Sequence, residues 1–159
     1  VPELAARFEH VALVDPPRSA ADAIRSGQSR AGATPGFLHL LWTEAEQRFS
    51  AAVLAARMPA RAEIGGVYKR LREGGELGGP ELRRALSGSN AHPLSPEAAA
   101  RAFRVLDELG LLSGEPRGGD GVVGVVSSGG TDLERSAAFR AYSALHSEAK
   151  QYLERHKQP

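Results

Sequence analysis

The spacing of apolar and polar positions divides this chain into three stretches. His10-Val11-Ala12-Leu13-Val14-Asp15 is a short, nearly unbroken apolar run stopped by Pro16-Pro17. Such a run predicts a strand buried on both faces, as in a parallel sheet. A short helix over Ser19–Arg25 follows, with Ser19 as its cap, and Gly27 to Gly36 reads as a Gly/Ser/Thr/Pro loop. Phe37-Leu38-His39-Leu40-Leu41 predicts a second strand. Thr43, with Glu46 three residues on, forms a capping box for a helix that carries Phe49, Val53 and Leu54 on one face and ends near Pro59. Strand, helix, strand, helix implies a right-handed parallel unit. Two strands rarely make a stable sheet alone, so the rest of the sheet is expected outside this chain or from later strands.

The second stretch has helical periodicity. Ile64, Val67, Tyr68 and Leu71 fall at i, i+3, i+4 and i+7 of a helix over Ala60–Glu73, the spacing of one buried stripe. Gly74-Gly75 ends it. Gly79-Pro80 opens a short helix carrying Leu82, Ala85 and Leu86, with Pro at the first helical position, and Gly88 to Leu94 is a polar connection. Ser95-Pro96-Glu97 supplies cap, N1 proline and first-turn acid for another helix. That helix is expected to bury Ala99, Ala102, Phe103, Leu106 and Leu109, with Gly110 as its left-handed C-cap. A turn-forming run, Pro116 to Gly121, precedes the strand Val122-Val123-Gly124-Val125-Val126. Helix, short helix, helix and hairpin is the order of a winged helix-turn-helix. In the third stretch, Thr131 and Glu134 form a capping box for a long amphipathic helix reaching about His156, with Phe139, Tyr142, Leu145 and Ala149 on its docking face. The polar end Arg155-His156-Lys157-Gln158-Pro159 should fray.

The expected class is therefore α/β (α+β): a small parallel βα lobe over 1–58, a winged helix-turn-helix-like lobe over 59–128 and a C-terminal amphipathic helix over 129–159. The chain has 159 residues, 42% hydrophobic and 25% charged, enough to bury about 70% of the surface its unfolded form exposes. No apolar run approaches the roughly 20 residues that cross a bilayer, so no membrane association is expected. No basic-then-apolar leader opens the chain. Zero Cys excludes disulfide scaffolds, thiolate metal sites and Cys nucleophiles, and fits a reducing, cytoplasmic setting. Twenty Lys/Arg against nineteen Asp/Glu leave a net charge of +1, so any polyanion binding must come from a local patch. Opening at Val1 rather than Met, the chain reads as a segment of something longer.

Catalytic patterns are sparse. The five His (10, 39, 92, 146 and 156) show no i, i+4 pairing and no carboxylate companion at metal spacing, and His39 reads as a core or edge residue. No Gly-x-Ser-x-Gly elbow or phosphate loop occurs. Gly119-Asp120-Gly121-Val122-Val123-Gly124 spells Gly-x-Gly-x-x-Gly, but the dinucleotide reading needs a helix opening within it, whereas an apolar strand follows. Asp15 ends a strand in the manner of a Mg²⁺-binding aspartate; with Pro16-Pro17 next, a turn-initiating role is the simpler reading. No residue is assigned a catalytic or metal role, and no cofactor is expected on this segment.

The remaining constellation is the arginines of the winged-helix stretch. Arg101 and Arg104 project opposite the Phe103/Leu106 face, where a helix-turn-helix meets nucleic acid. Arg83 and Arg84 lie on the preceding helix, and Arg117 at the wing tip can meet phosphate, for which the planar guanidinium fork is suited. The same residues also fit ordinary surface pairs, Arg101 with Glu97 and Arg104 with Glu108. DNA contact, protein docking and a spacer role all stay open, because winged helices serve protein contacts as well as DNA.

Several motifs together resemble a known family. Phe8-Glu9-His10-Val11-Ala12-Leu13-Val14-Asp15-Pro16-Pro17 is similar to a Phe-x-His-Val-x-Leu-x-Asp-Pro-Pro segment in the C-terminal region of RecJ, the single-stranded-DNA-specific exonuclease. Leu38-His39-Leu40-Leu41-Trp42 resembles that region's second strand, and Arg61 with Val67-Tyr68-Lys69-Arg70-Leu71 its Val-Tyr-x-x-Leu helix. Val105-Leu106-Asp107-Glu108-Leu109-Gly110-Leu111 and Leu133-Glu134-Arg135-Ser136 follow in the right order. The resemblance implies a C-terminal accessory domain of an enzyme that degrades single-stranded DNA from the 5′ end in recombination and repair. It places the Mn²⁺ or Mg²⁺ of that enzyme in a catalytic core whose Asp and His motifs do not occur here. The implied partners are single-stranded DNA, the tail of single-strand-binding protein or a helicase, and the rest of the parent exonuclease. The runner-up is a free-standing winged-helix DNA-binding regulator.

Overall fold

The computed structural model describes residues 7–26, 30–31, 34–89, 92–114, 121–126 and 131–155. The fold is mixed α+β, and the chain divides into two compact units, Val1–Leu54 with Leu145–Pro159, and Ala55–Ala144.

In the first unit, β1 (His10–Leu13) pairs in parallel with β4 (Phe37–Leu40), His10 opposite Phe37 and Ala12 opposite His39. Helix α1 (Ala20–Ser26) starts where the sequence indicates, the Ser19 hydroxyl accepting the Asp22 N–H at 3.1 Å. The Gly27–Gly36 stretch is not all loop. It contains β2 (Arg30–Ala31) and β3 (Thr34–Pro35), an antiparallel pair of two-residue strands, too short to show a period. Burial of β1 and β4 on both faces is not found. Val11, Leu13 and Leu38 are half-buried, whereas His10, Ala12, Phe37, His39 and Leu40 are exposed. The reason is topological: among the described residues no third strand joins this sheet, and the later strands form a sheet of their own.

Helix α2 (Glu44–Arg57) has the expected capping box, with the Thr43 N–H donating to Glu46 Oε2 at 2.7 Å and the Thr43 hydroxyl accepting the Ala45 N–H at 3.2 Å. Its buried face differs from the predicted one. Gln47 and Leu54 are buried and Val53 half-buried, but Phe49 is 66% exposed. Gln47 Nε2 donates to the carbonyl of Leu153, one of the last four carbonyls of the C-terminal helix, which lack intrahelical donors. That bond turns a polar residue inward. Leu153 and Ala149 are themselves buried, as is Trp42.

The second unit holds the larger core. In α3 (Arg61–Gly74), Ile64, Val67 and Leu71 are almost wholly inaccessible, with Tyr68 half-buried beside them. Next comes β5 (Leu77–Gly78), a strand the sequence reading lacks, then α4 (Gly79–Ser87), which buries Leu82. Helix α5 (Pro96–Glu108) begins at Ser95, whose hydroxyl accepts the Ala98 N–H at 3.2 Å. It buries Ala98, Ala99, Ala102, Val105 and Leu106, leaving Phe103 and Leu109 half-buried. Its end is a Schellman motif: Leu111 N–H bonds the Leu106 carbonyl at 3.1 Å and Gly110 N–H that of Asp107 at 2.8 Å, with Gly110 at φ 67°.

Strands β6 (Leu112–Ser113) and β7 (Val122–Val125) complete an antiparallel sheet of order β5-β7-β6, with Val123 buried at its centre. Helix, strand, helix, helix and two strands make a winged-helix-like arrangement. Its predicted tip, with Arg117, lies outside the described residues.

A 3-10 turn over Leu133–Arg135, capped by Asp132, precedes α6 (Ala137–Arg155). Here the structure moves the predicted start. Ser136, not Thr131, caps the helix, its hydroxyl accepting the Phe139 N–H at 3.1 Å. Phe139 and Ala149 are buried and Tyr142 is half-buried, but Leu145 is 47% exposed. The predicted frayed end after Arg155 lies outside the described residues.

Candidate functional site

The winged-helix arginines prove unequal once placed. Arg101 is half-buried; its guanidinium donates to the carbonyl of Arg57 and lies 5.5 Å from the centre of the Tyr142 ring. Ser95, at the start of the same helix, donates to the carbonyl of Ala56 at 3.2 Å. The face of α5 that a helix-turn-helix offers to DNA is thus bonded by its own chain. Arg104 donates to Glu108 Oε1 at 3.1 Å, the surface pair that the i, i+4 spacing allows. That bond, with Tyr142 alongside, raises the guanidinium above its ordinary value. Of the four of these arginines that lie within the described residues, Arg83 and Arg84 stand exposed on α4 and Arg104 is exposed but paired with Glu108.

Two further arginines act inside the unit, and their spacing gave no hint of it. Arg70 donates from Nε to the Ala85 carbonyl at 2.6 Å and from Nη2 to Leu86 at 3.1 Å, closing the C-terminal end of α4. Arg61 lies 3.5 Å from Glu134 Oε1, its guanidinium 5.5 Å from the Phe139 ring centre. Glu108 also joins two helix ends. Its Oε2 accepts the Ala138 N–H and the Ser136 hydroxyl, both at 2.8 Å. These bonds, the backbone one foremost, hold its carboxyl below the ordinary glutamate range.

The sheet of the first unit presents a different surface. The parallel register puts His10, Ala12, Phe37 and His39 on one open face. Phe37 is 57% exposed there, with Phe8, Val14 and Leu41 exposed at the strand ends. The His10 ring lies parallel to Phe37, centres 5.0 Å apart and planes 15° apart. His10 Nδ1 and His39 Nε2 approach to 2.9 Å, sharing one proton, with ring centres 5.2 Å apart and planes at 20°. His39 is thus an edge residue of the described sheet, as expected, with a ring partner on the neighbouring strand. The sequence signal for this pair exists only once the register is known, since 29 residues separate the two rings.

Asp15 stands exposed just past β1. Among the described residues no group of three or more His, Asp or Glu is placed to hold a metal, and no helix is long and apolar enough to cross a membrane. Of the Gly-x-Gly-x-x-Gly run, the described part enters β7 directly. Compared with protein families, with curated proteins and with solved structures, the chain matches none.

Proposed function

We propose that this chain is a non-catalytic C-terminal domain of a RecJ-like 5′-to-3′ single-stranded-DNA exonuclease acting in recombination and repair, and that it docks protein through the β1–β4 sheet. The observation that carries the docking role is the open face of that sheet, where Phe37 and the flanking Phe8, Val14 and Leu41 are each more than half exposed. Contiguous apolar side chains facing water are characteristic of contact surfaces, and parallel strands ordinarily have both faces covered. The bonded state of Arg101 and Arg104 supports the same choice, since a DNA-reading α5 would have to give up those partners. The link to the exonuclease rests on the ordered motifs from Phe8 to Ser136.

A test uses the whole chain with a RecJ-type catalytic core lacking its own C-terminal region, and separately with an acidic single-strand-binding-protein tail peptide. The core is expected to bind, and the double variant Phe37→Asp/Leu41→Asp to lose that binding while keeping its circular dichroism. Equal binding by the variant, or no binding by the core, would overturn docking through this face. A second reading is favoured by the exposure of Arg83 and Arg84: α4 touches the single-strand backbone while the sheet holds protein.

A further inference from the structure

We infer that His10 and His39 form a two-imidazole chelate for a late divalent transition-metal ion of the Cu²⁺ or Ni²⁺ class. The two side chains belong to neighbouring strands, stand two positions apart in register, share the open face and bring Nδ1 of one ring to 2.9 Å from Nε2 of the other. Imidazole nitrogen suits such ions better than Mg²⁺ or Ca²⁺, which take oxygen. Among such ions Cu²⁺ binds a given nitrogen site most tightly.

Loading the site requires two local changes and no redox step. At present the nitrogens face one another across a shared proton. The ring that donates must shift that proton to its other nitrogen, so both facing nitrogens carry lone pairs. Both rings must then turn about Cβ–Cγ until the lone pairs converge. No proton is released, and solvent supplies the remaining ligands. Phe37, parallel to His10, limits the planes that ring can take. The inference does not depend on docking or on the exonuclease reading, because the ion needs only the strand pair.

The test is calorimetric titration of the whole chain with Cu²⁺ in glycine buffer, which masks weak single-imidazole sites, together with electron paramagnetic resonance to count coordinated nitrogens. One ion per chain with two imidazole nitrogens is expected. His10→Ala and His39→Ala should each weaken binding on the order of 100-fold, because either one removes the effective concentration that joins the pair. The double variant should then be no worse than either single one, and exposed His92→Ala should leave binding intact. Since both rings are exposed, the variants should keep the native circular dichroism. Single variants that leave affinity unchanged, or losses at the two sites that simply add, would overturn the chelate.

Discussion

Glu108 illustrates how one side chain can fix a junction that local sequence places elsewhere. Thr131 and Glu134 have the spacing of a capping box, but the last turn of α5 offers a carboxylate to Ser136 and Ala138, and α6 begins there. Its carboxyl is held low chiefly by the Ala138 N–H, then by the Ser136 hydroxyl. A depressed folded-state value means a contribution that is present above the unfolded-state value of about 4.3 and is lost as pH falls further, through the folded one. Glu108→Gln should therefore lower stability at neutral pH and flatten the acid limb, read as urea midpoint against pH. A parallel limb in the variant would assign acid sensitivity to other carboxyls. Two glycines provide a sharper contrast. Gly110 (φ 67°) has open space where a Cβ would sit, whereas at Gly114 (φ 83°) a Cβ would meet the Val122 carbonyl at 2.0 Å. Gly110→Ala should cost about 1–2 kcal/mol for the left-handed backbone alone. Gly114→Ala should cost more and loosen the β6–β7 pairing, visible as faster amide exchange at Val126, whose N–H bonds the Leu111 carbonyl.

At the scale of elements, strong punctuation made much of the fold legible. Ser95-Pro96, Gly79-Pro80 and Thr43 with Glu46 each open a helix within a residue of the expected place, and the Ile64/Val67/Leu71 stripe forms the inner face of α3. Ser95→Ala should cost about 1 kcal/mol through the lost cap. Leu71→Ala should cost about 2–5 kcal/mol by leaving a cavity, both measured by denaturant unfolding. What escaped the sequence reading has a common cause. The inward turn of Gln47, the outward turn of Phe49 and the Arg70 clasp on α4 depend on a partner distant in sequence. Strands β2, β3 and β5 have two residues each, too few for a period of two to register. The candidate site was legible only in part. Arg83 and Arg84 were placed on the short helix that carries them, but the carbonyl of Arg57 and the ring of Tyr142, which engage Arg101, could not be read from α5 alone.

For the molecule as a whole, a net charge of +1 provides no general attraction for a polyanion, so a nucleic-acid role has to be local and its salt dependence small. This separates two experiments that look alike. Reversing Arg101 and Arg104 removes charge but also breaks the bonds to Arg57 and Glu108 and the approach to Tyr142. Weaker single-strand binding after that change would report a disturbed α5 as readily as a lost phosphate contact. Arg83→Glu/Arg84→Glu acts on exposed side chains of α4 and is the cleaner probe. If α4 meets the strand, each lost contact should reduce the slope of log affinity against log salt by about 0.7, with the thermal midpoint unchanged. An unchanged slope would remove DNA from this face of α4.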